Sequence, residues 1–184
     1  MNTTAKNRIS TKHMVLIGMF AAVLAVMSQL SIPMPSGVPA TIQVFAVALC
    51  GVVLGWKLGP ASMLVYILIG AVGAPVFANF GAGLGVIFGK TGGFIIAYPF
   101  MTMLCGLSEK VKPFWQKILF CLTGLFVCHL FGTLQYMLLT GMSFPAAALL
   151  MSLPYLFKDG ILVVAAAAVG KTLRTALQAS AVRA

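Results

Sequence analysis

The sequence predicts an all-α integral membrane protein, and three observations carry that prediction. Of the 184 residues, 61% are hydrophobic and the mean hydropathy is +1.07, which places the chain among membrane proteins. The apolar residues fall in runs long enough to cross ~30 Å of hydrocarbon as helices. The 12 basic and 2 acidic residues gather mostly between those runs, as expected when charge is costly in lipid.

Taken in order, a first span is expected over 14–32, followed by an uncharged, proline-rich loop, Pro33-Met-Pro-Ser-Gly-Val-Pro-Ala-Thr41. The next apolar stretch, 42–73, is too long for one crossing. Trp56-Lys57-Leu58-Gly59-Pro60 interrupts it with an interfacial aromatic, a charge and a helix breaker. Two spans, 42–56 and 58–73, are therefore expected in a hairpin that turns at Lys57.

From Ala74 to Gly93, seven of twenty residues are Gly81, Gly83, Gly85, Gly89, Gly92, Gly93 or Pro75. Such a segment suits an irregular or re-entrant loop, which is tolerated at membrane depth only inside protein or beside a cavity. A fourth span is expected over 92–107, then a basic loop, a fifth span over 118–139, a short surface helix through Ala146–Leu150, and a sixth span over 154–171. Pro154 is acceptable in a first helical turn. The expected fold is a single membrane domain, 1–184, of six transmembrane helices with the glycine-rich loop between the third and fourth.

An even number of spans puts both termini on one side. With the termini inside, that side collects Lys6, Arg8, Lys12, Lys57, Lys110, Lys112, Lys117, Lys171, Arg174 and Arg183. The excess of cytoplasmic basic residues sets this orientation. It also accounts for the net charge of +10 without nucleic acid. The first apolar segment is long enough to span and does not read as a cleaved signal peptide. Cys50, Cys105, Cys121 and Cys128 lie within apolar segments with no Cys-x-x-Cys pair, and read as packing residues rather than metal ligands.

Catalysis is poorly supported. One aspartate and one glutamate cannot build a carboxylate pair plus a metal site, so neither an enzyme nor a metal centre is expected. Gly89-Lys90-Thr91 resembles the end of a phosphate loop, but that pattern needs glycine at position 84, which is Leu84. His129, in the fifth span, reads as a hydrogen-bonded packing residue, with a proton-carrying role as the alternative.

Three charges sit in otherwise uncharged stretches: Lys90, Lys158 and Asp159. With Asn79 they are expected on the outer side. A buried lysine holds an anionic group, an aspartate accepts from N–H donors, and an asparagine amide does both. Together they suit a small ligand with a carboxylate at one end and an amide-like group at the other, its body packed by Phe77, Phe80, Phe88, Phe94 and Tyr155. A self-neutralising ion pair is the bland alternative. On the first helix, Gly18-xxx-Ala22 and Ala21-xxx-Ala25 form a strip of small residues of the kind that lets membrane helices approach closely. This strip is a candidate docking surface for another membrane protein, and bulk at Ala21 or Ala25 is expected to block docking while sparing the pocket.

These features resemble the BioY family, the biotin-binding S components of energy-coupling-factor (ECF) transporters, over nearly the whole chain. The resemblance rests on Ser28-Gln29-Leu30-Ser31-Ile32-Pro33-Met34-Pro35, Leu58-Gly59-Pro60, Gly73-Ala74-Pro75-Val76-Phe77-Ala78-Asn79, Gly89-Lys90-Thr91-Gly92-Gly93-Phe94 and Pro154-Tyr155 with Asp159. It implies a cavity open to the outside of the bacterial cell membrane, capture of biotin as the transported ligand with no cofactor, and delivery inward with a transmembrane T component and two cytoplasmic ATPase subunits. By position, Asn79 and Asp159 would serve the ureido ring and Lys90 the carboxylate, with Lys158 the other candidate for that end. Two departures are Phe94, where the family often has tyrosine, and Leu162, where many members have lysine. The rival readings are an S component for another small anionic vitamin and a stand-alone proton-coupled carrier using Asp159 and His129.

Overall fold

A computed structural model describes residues 10–34 and 37–182, with side chains to residue 177. Lys6, Arg8 and Arg183, three of the residues expected at the inner side, lie outside the described residues. The chain is mainly helical. Helix α1 (Thr11–Gln29) starts at Ser10, whose hydroxyl accepts from the His13 amide at 3.3 Å. It ends three residues before the expected limit. The chain then forms a small antiparallel ribbon, β1 (Ser31–Ile32) with β2 (Ala40–Thr41), in which Ser31 faces Thr41.

Helix α2 (Gln43–Ala71) is two arms joined at Gly55, where φ is 78° and ψ is 179°. Only glycine adopts that conformation without strain, so the chain reverses there, two residues before Lys57. Two contacts establish the reversal. Gln43 Nε2 donates to Tyr66 Oη at 3.1 Å, and Cys50 Sγ donates to the Gly59 carbonyl at 3.8 Å. A straight helix would hold Gln43 and Tyr66 some ~34 Å apart. The arms meet closely where side chains are smallest: a Cβ on Gly59 would stand 3.3 Å from the Gly51 Cα.

The glycine-rich segment follows as a 3₁₀ turn at Ala78–Phe80 and the single-turn helix α3 (Leu84–Ile87). Helix α4 (Gly92–Leu107) then runs between α2 and α5 (Phe114–Thr140). Helix α6 (Phe144–Met151) leads into α7 (Leu153–Val182). The core lies where α4 meets its neighbours. Tyr98, Met101 and Cys105 from α4 pack with Val47 and Met63 from α2, Leu125 and Cys128 from α5, and Val163 from α7. All four cysteines are buried free thiols within this packing. Among the described residues, Thr11–Gln29, Gln43–Ala71, Phe114–Thr140 and Leu153–Leu177 are helical stretches long and apolar enough to cross a membrane. The chain is a multi-pass membrane protein.

The two ends of the bundle differ. At one end Glu109 pairs with Lys117 at 3.1 Å and Arg174 at 3.5 Å. Nearby, the ammoniums of Lys57 and Lys110 sit 5.0 Å and 4.6 Å from the Trp56 ring centroid, within cation–π range. The opposite end holds the ribbon, the glycine-rich segment and a cavity.

Candidate functional site

Six parts of the chain converge on a cavity of about 380 Å³, with Met151 of α6 among its lining. The β1–β2 ribbon and the start of α2 supply Val38, Thr41 and Gln43. The segment after α2 supplies Phe77, Asn79, Gly89 and Lys90. Helix α4 supplies Phe94, Ile95 and Tyr98, α5 supplies His129, and α7 supplies Tyr155, Lys158 and Asp159.

Asp159 is 5% exposed, and a carboxylate so placed needs partners. It has two. Lys158 Nζ donates to Oδ1, and His129 Nε2 lies 3.3 Å from Oδ2. The chain of polar contacts continues inward: His129 Nδ1 is 3.2 Å from Ser152 Oγ, which is 2.7 Å from Thr133 Oγ1. Phe94 meets the His129 ring edge-on at 5.6 Å. The imidazole is thus held by a hydrogen bond at Nδ1, the nearby Asp159 carboxylate at Nε2 and the edge-on Phe94 ring, which fixes its orientation.

The same helix ties down the ribbon. Lys158 Nζ also donates to the Thr41 carbonyl at 2.6 Å, and Tyr155 Oη donates to the Val38 carbonyl at 2.7 Å. Lys90 approaches the ribbon from the other side: a Cβ on Gly37 would stand 3.6 Å from Lys90 Nζ. Among the described residues Lys90 forms no ion pair. Lys90 and Asn79 are exposed to solvent, so the cavity pairs one buried, ion-paired carboxylate with an ammonium open to water, not the buried lysine expected from the sequence.

Asn79 reaches the cavity through unusual backbone. Asn79 and Phe80 have φ of 56° and 57°, the left-handed region that side chains other than glycine and asparagine rarely occupy. Ser31 Oγ donates to Asn79 Oδ1 at 2.7 Å, which leaves the Asn79 amide hydrogens to donate elsewhere. Phe77 is fully buried and packs edge-on against Tyr66 at 5.5 Å.

Of the residues singled out for the pocket, Asn79, Lys90, Lys158, Asp159, Phe77, Phe94 and Tyr155 line this cavity. Phe80 and Phe88 do not: they are 71% and 69% exposed. The left-handed turn at Asn79–Phe80 swings the Phe80 ring outward, and Phe88 lies on a separate apolar groove with Ile96 and Phe131. Tyr98, Thr41 and Gln43 join the site unannounced, and His129, expected as a packing residue with a proton-carrying alternative, lines it too. For His129 the signal was present, an ionisable residue in an apolar helix. For Thr41 it is a backbone carbonyl, which no residue pattern marks.

The small residues of α1 divide between two faces. Gly18 and Ala22 are on the outer surface, and nothing lies within 4 Å of a Cβ built on Gly18. Ala21 is 3% exposed and belongs to the core, with Ala25 packed against it. Bulk at Ala21 would strike the interior, not a partner alone.

Known proteins share this sequence and fold. A family model described as the BioY family matches residues 1–179. A probable biotin transporter BioY from Pyrococcus horikoshii is 38% identical over 167 residues, covering 90% of this chain and 98% of that protein. The biotin transporter BioY2 of Lactococcus lactis is 33% identical over 164 residues, covering 88% of this chain and 90% of that one. A crystal structure of the S-component for biotin from an ECF-type ABC transporter superposes with a TM-score of 0.81 over 91% of this chain and 95% of that chain, at 21% identity. That last likeness is one of fold.

Proposed function

The chain belongs to the BioY family, and we propose that it captures biotin in the cavity around Asp159 and delivers it inward as the S component of an ECF transporter. It is a transport protein rather than an enzyme. The observation that carries the reading is one cavity holding Asn79, the Lys158–Asp159–His129 group and Lys90. Biotin has a ureido ring that donates two N–H groups and a tail that ends in a carboxylate. Asp159 is the acceptor for ureido hydrogens, Asn79 the amide partner, and Lys90 the cation for the carboxylate. Phe77, Phe94 and Tyr155 supply the apolar walls. A volume of about 380 Å³ falls within the ~300–1,000 Å³ usual for small-molecule sites.

In the membrane the two arms of α2 count separately, which with α1, α4, α5 and α7 makes six spans around the glycine-rich loop. The basic end, with Lys57, Lys110, Lys117 and Arg174, faces the cytoplasm of a bacterial inner membrane, as do both termini. The cavity then faces outward. The exposed Gly18 and Ala22 face of α1 serves as the contact for the transmembrane T component, which acts with two cytoplasmic ATPases. Bulk at Ala22 should block energised uptake and leave biotin binding in place.

Labelled biotin bound to membranes that contain the chain tests the ligand. Unlabelled biotin should displace it, and other anionic vitamins at the same concentration should not. Displacement by a different vitamin at lower concentration would assign the site to that vitamin. The Asp159–His129 pair at 3.3 Å favours one second reading, a stand-alone proton-coupled carrier. Proton-dependent uptake into liposomes holding only this chain would establish it.

A further inference from the structure

The segment 75–93 carries Asn79 near its start and Lys90 near its end, and a glutamine from outside the segment grips it at each place. Gln29, the last residue of α1, spans the left-handed turn. Its Nε2 donates to the Phe77 carbonyl at 3.0 Å, and its Oε1 accepts from the Phe80 amide at 2.9 Å. One side chain thus holds the backbone on both sides of Asn79. Two successive residues at φ of 56° and 57° persist only when their surroundings hold them there. Ser28, also on α1, donates to the Val76 carbonyl just upstream.

Gln135, on α5, grips the other end. Its Nε2 donates to the Ile87 and Gly89 carbonyls, each at 2.8 Å, immediately before Lys90. Both amide hydrogens are used on this one turn. The approach is possible because the facing residues are Gly92 and Gly93: a Cβ on Gly92 would collide with the Ile87 carbonyl, and one on Gly93 with the Phe131 carbonyl. The turn is also anchored by Ile87, which is buried in the core, and by the Gly89 and Gly92 amides, which donate to the Val86 and Gly89 carbonyls. Beyond Ile87, Phe88 is exposed and Lys90 forms no ion pair among the described residues, so Gln135 is the side chain that fixes the two carbonyls before Lys90.

We infer that Gln29 and Gln135 are positioning residues that set the two ends of the ligand site separately, Gln29 aiming Asn79 at the ring end and Gln135 aiming Lys90 at the carboxylate end. The assignment of ends rests on the biotin reading above; the two separate braces do not. Neither glutamine lines the cavity, so each acts through the backbone it holds.

Gln29→Met and Gln135→Met keep side-chain length and remove the hydrogen bonds. Hydrogen exchange of the ligand-free protein in detergent reads the braces without any ligand. In Gln29→Met, backbone amides of 77–81 should exchange faster while those of 87–91 keep the wild-type rate. Gln135→Met should show the reverse. Both ends loosening together, or neither moving, would overturn the inference. Ligand selectivity then reads the ends. Gln135→Met should shrink the preference for biotin over its methyl ester by roughly tenfold, the worth of one well-made hydrogen-bonded contact, and keep the preference for biotin over its imino analogue. Gln29→Met should do the opposite. Equal losses for all ligands would overturn the separate-ends inference. Exchange as expected in a wild-type protein that binds no biotin would sink the biotin reading and leave the two braces standing.

Discussion

The chain has two acids, both shielded and each with two bases, yet they face different things. Glu109 pairs with Lys117 and Arg174 at the basic end. Asp159 pairs with Lys158 and His129 against a cavity, with only 6% of its side chain exposed. Glu109 joins the turn after α4 to α5 and α7, and Arg174 continues to the Val52 carbonyl near the α2 reversal. Its partners are all protein groups that fasten helix ends. Asp159 holds the orientation of a histidine and a lysine that both line the cavity. The same ion-pair count therefore means two things. Glu109, with its side chain 14% exposed, is a partly buried carboxylate whose partners are all structural, whereas the carboxylate of Asp159 stands beside a cavity that a ligand can enter.

Breaking the two acids in turn measures that difference. The largest effect should come from Asp159→Ala, which strips the acceptor from ligand donors that would remain desolvated. Losing such a partner costs about 1–3 kcal/mol or more, or roughly tenfold to a hundredfold in biotin affinity, measured by equilibrium binding. Lys90→Ala should come next and act selectively. The preference for free biotin over its methyl ester should fall by roughly tenfold, while Lys158→Ala leaves that ratio unchanged. If the selectivity follows Lys158, the carboxylate end is reversed. His129→Ala should weaken biotin by roughly threefold to tenfold, because Asp159 keeps Lys158 but loses its orienting partner. Glu109→Gln should be the smallest for the site: biotin affinity unchanged within about twofold, and stability lowered by about 1–3 kcal/mol because losing a partly buried carboxylate leaves two bases without their partner, read as a drop in melting temperature. A large loss of binding in Glu109→Gln would erase the contrast between the two ends.

How far each end was legible in the sequence follows from the physics at work. The reversal in α2 was legible within two residues, because a glycine, a proline and a charge act locally where they stand. Asn79, Lys90, Lys158 and Asp159 stood out because polar groups in apolar stretches are expensive. Phe80 and Phe88 are close to these residues along the chain but not in the cavity. Their directions depend on a left-handed turn and a single-turn helix that Gln29 and Gln135 hold from a distance. Ala21 and Ala22 are neighbours in one small-residue strip, and only packing against α2 decides which faces inward. The His129–Ser152–Thr133 contacts join α5 to the α6–α7 junction, and tertiary structure alone brings them together.

The central claim is that Asp159 is the anchor of a biotin site, and calorimetric titration of the purified chain tests it most directly. The account predicts saturable heat with one biotin per wild-type chain, and affinity lower by roughly tenfold or more in Asp159→Asn, which keeps the shape and removes the charge. No biotin heat from the wild-type chain, or equal affinity in the Asp159→Asn variant, would contradict it.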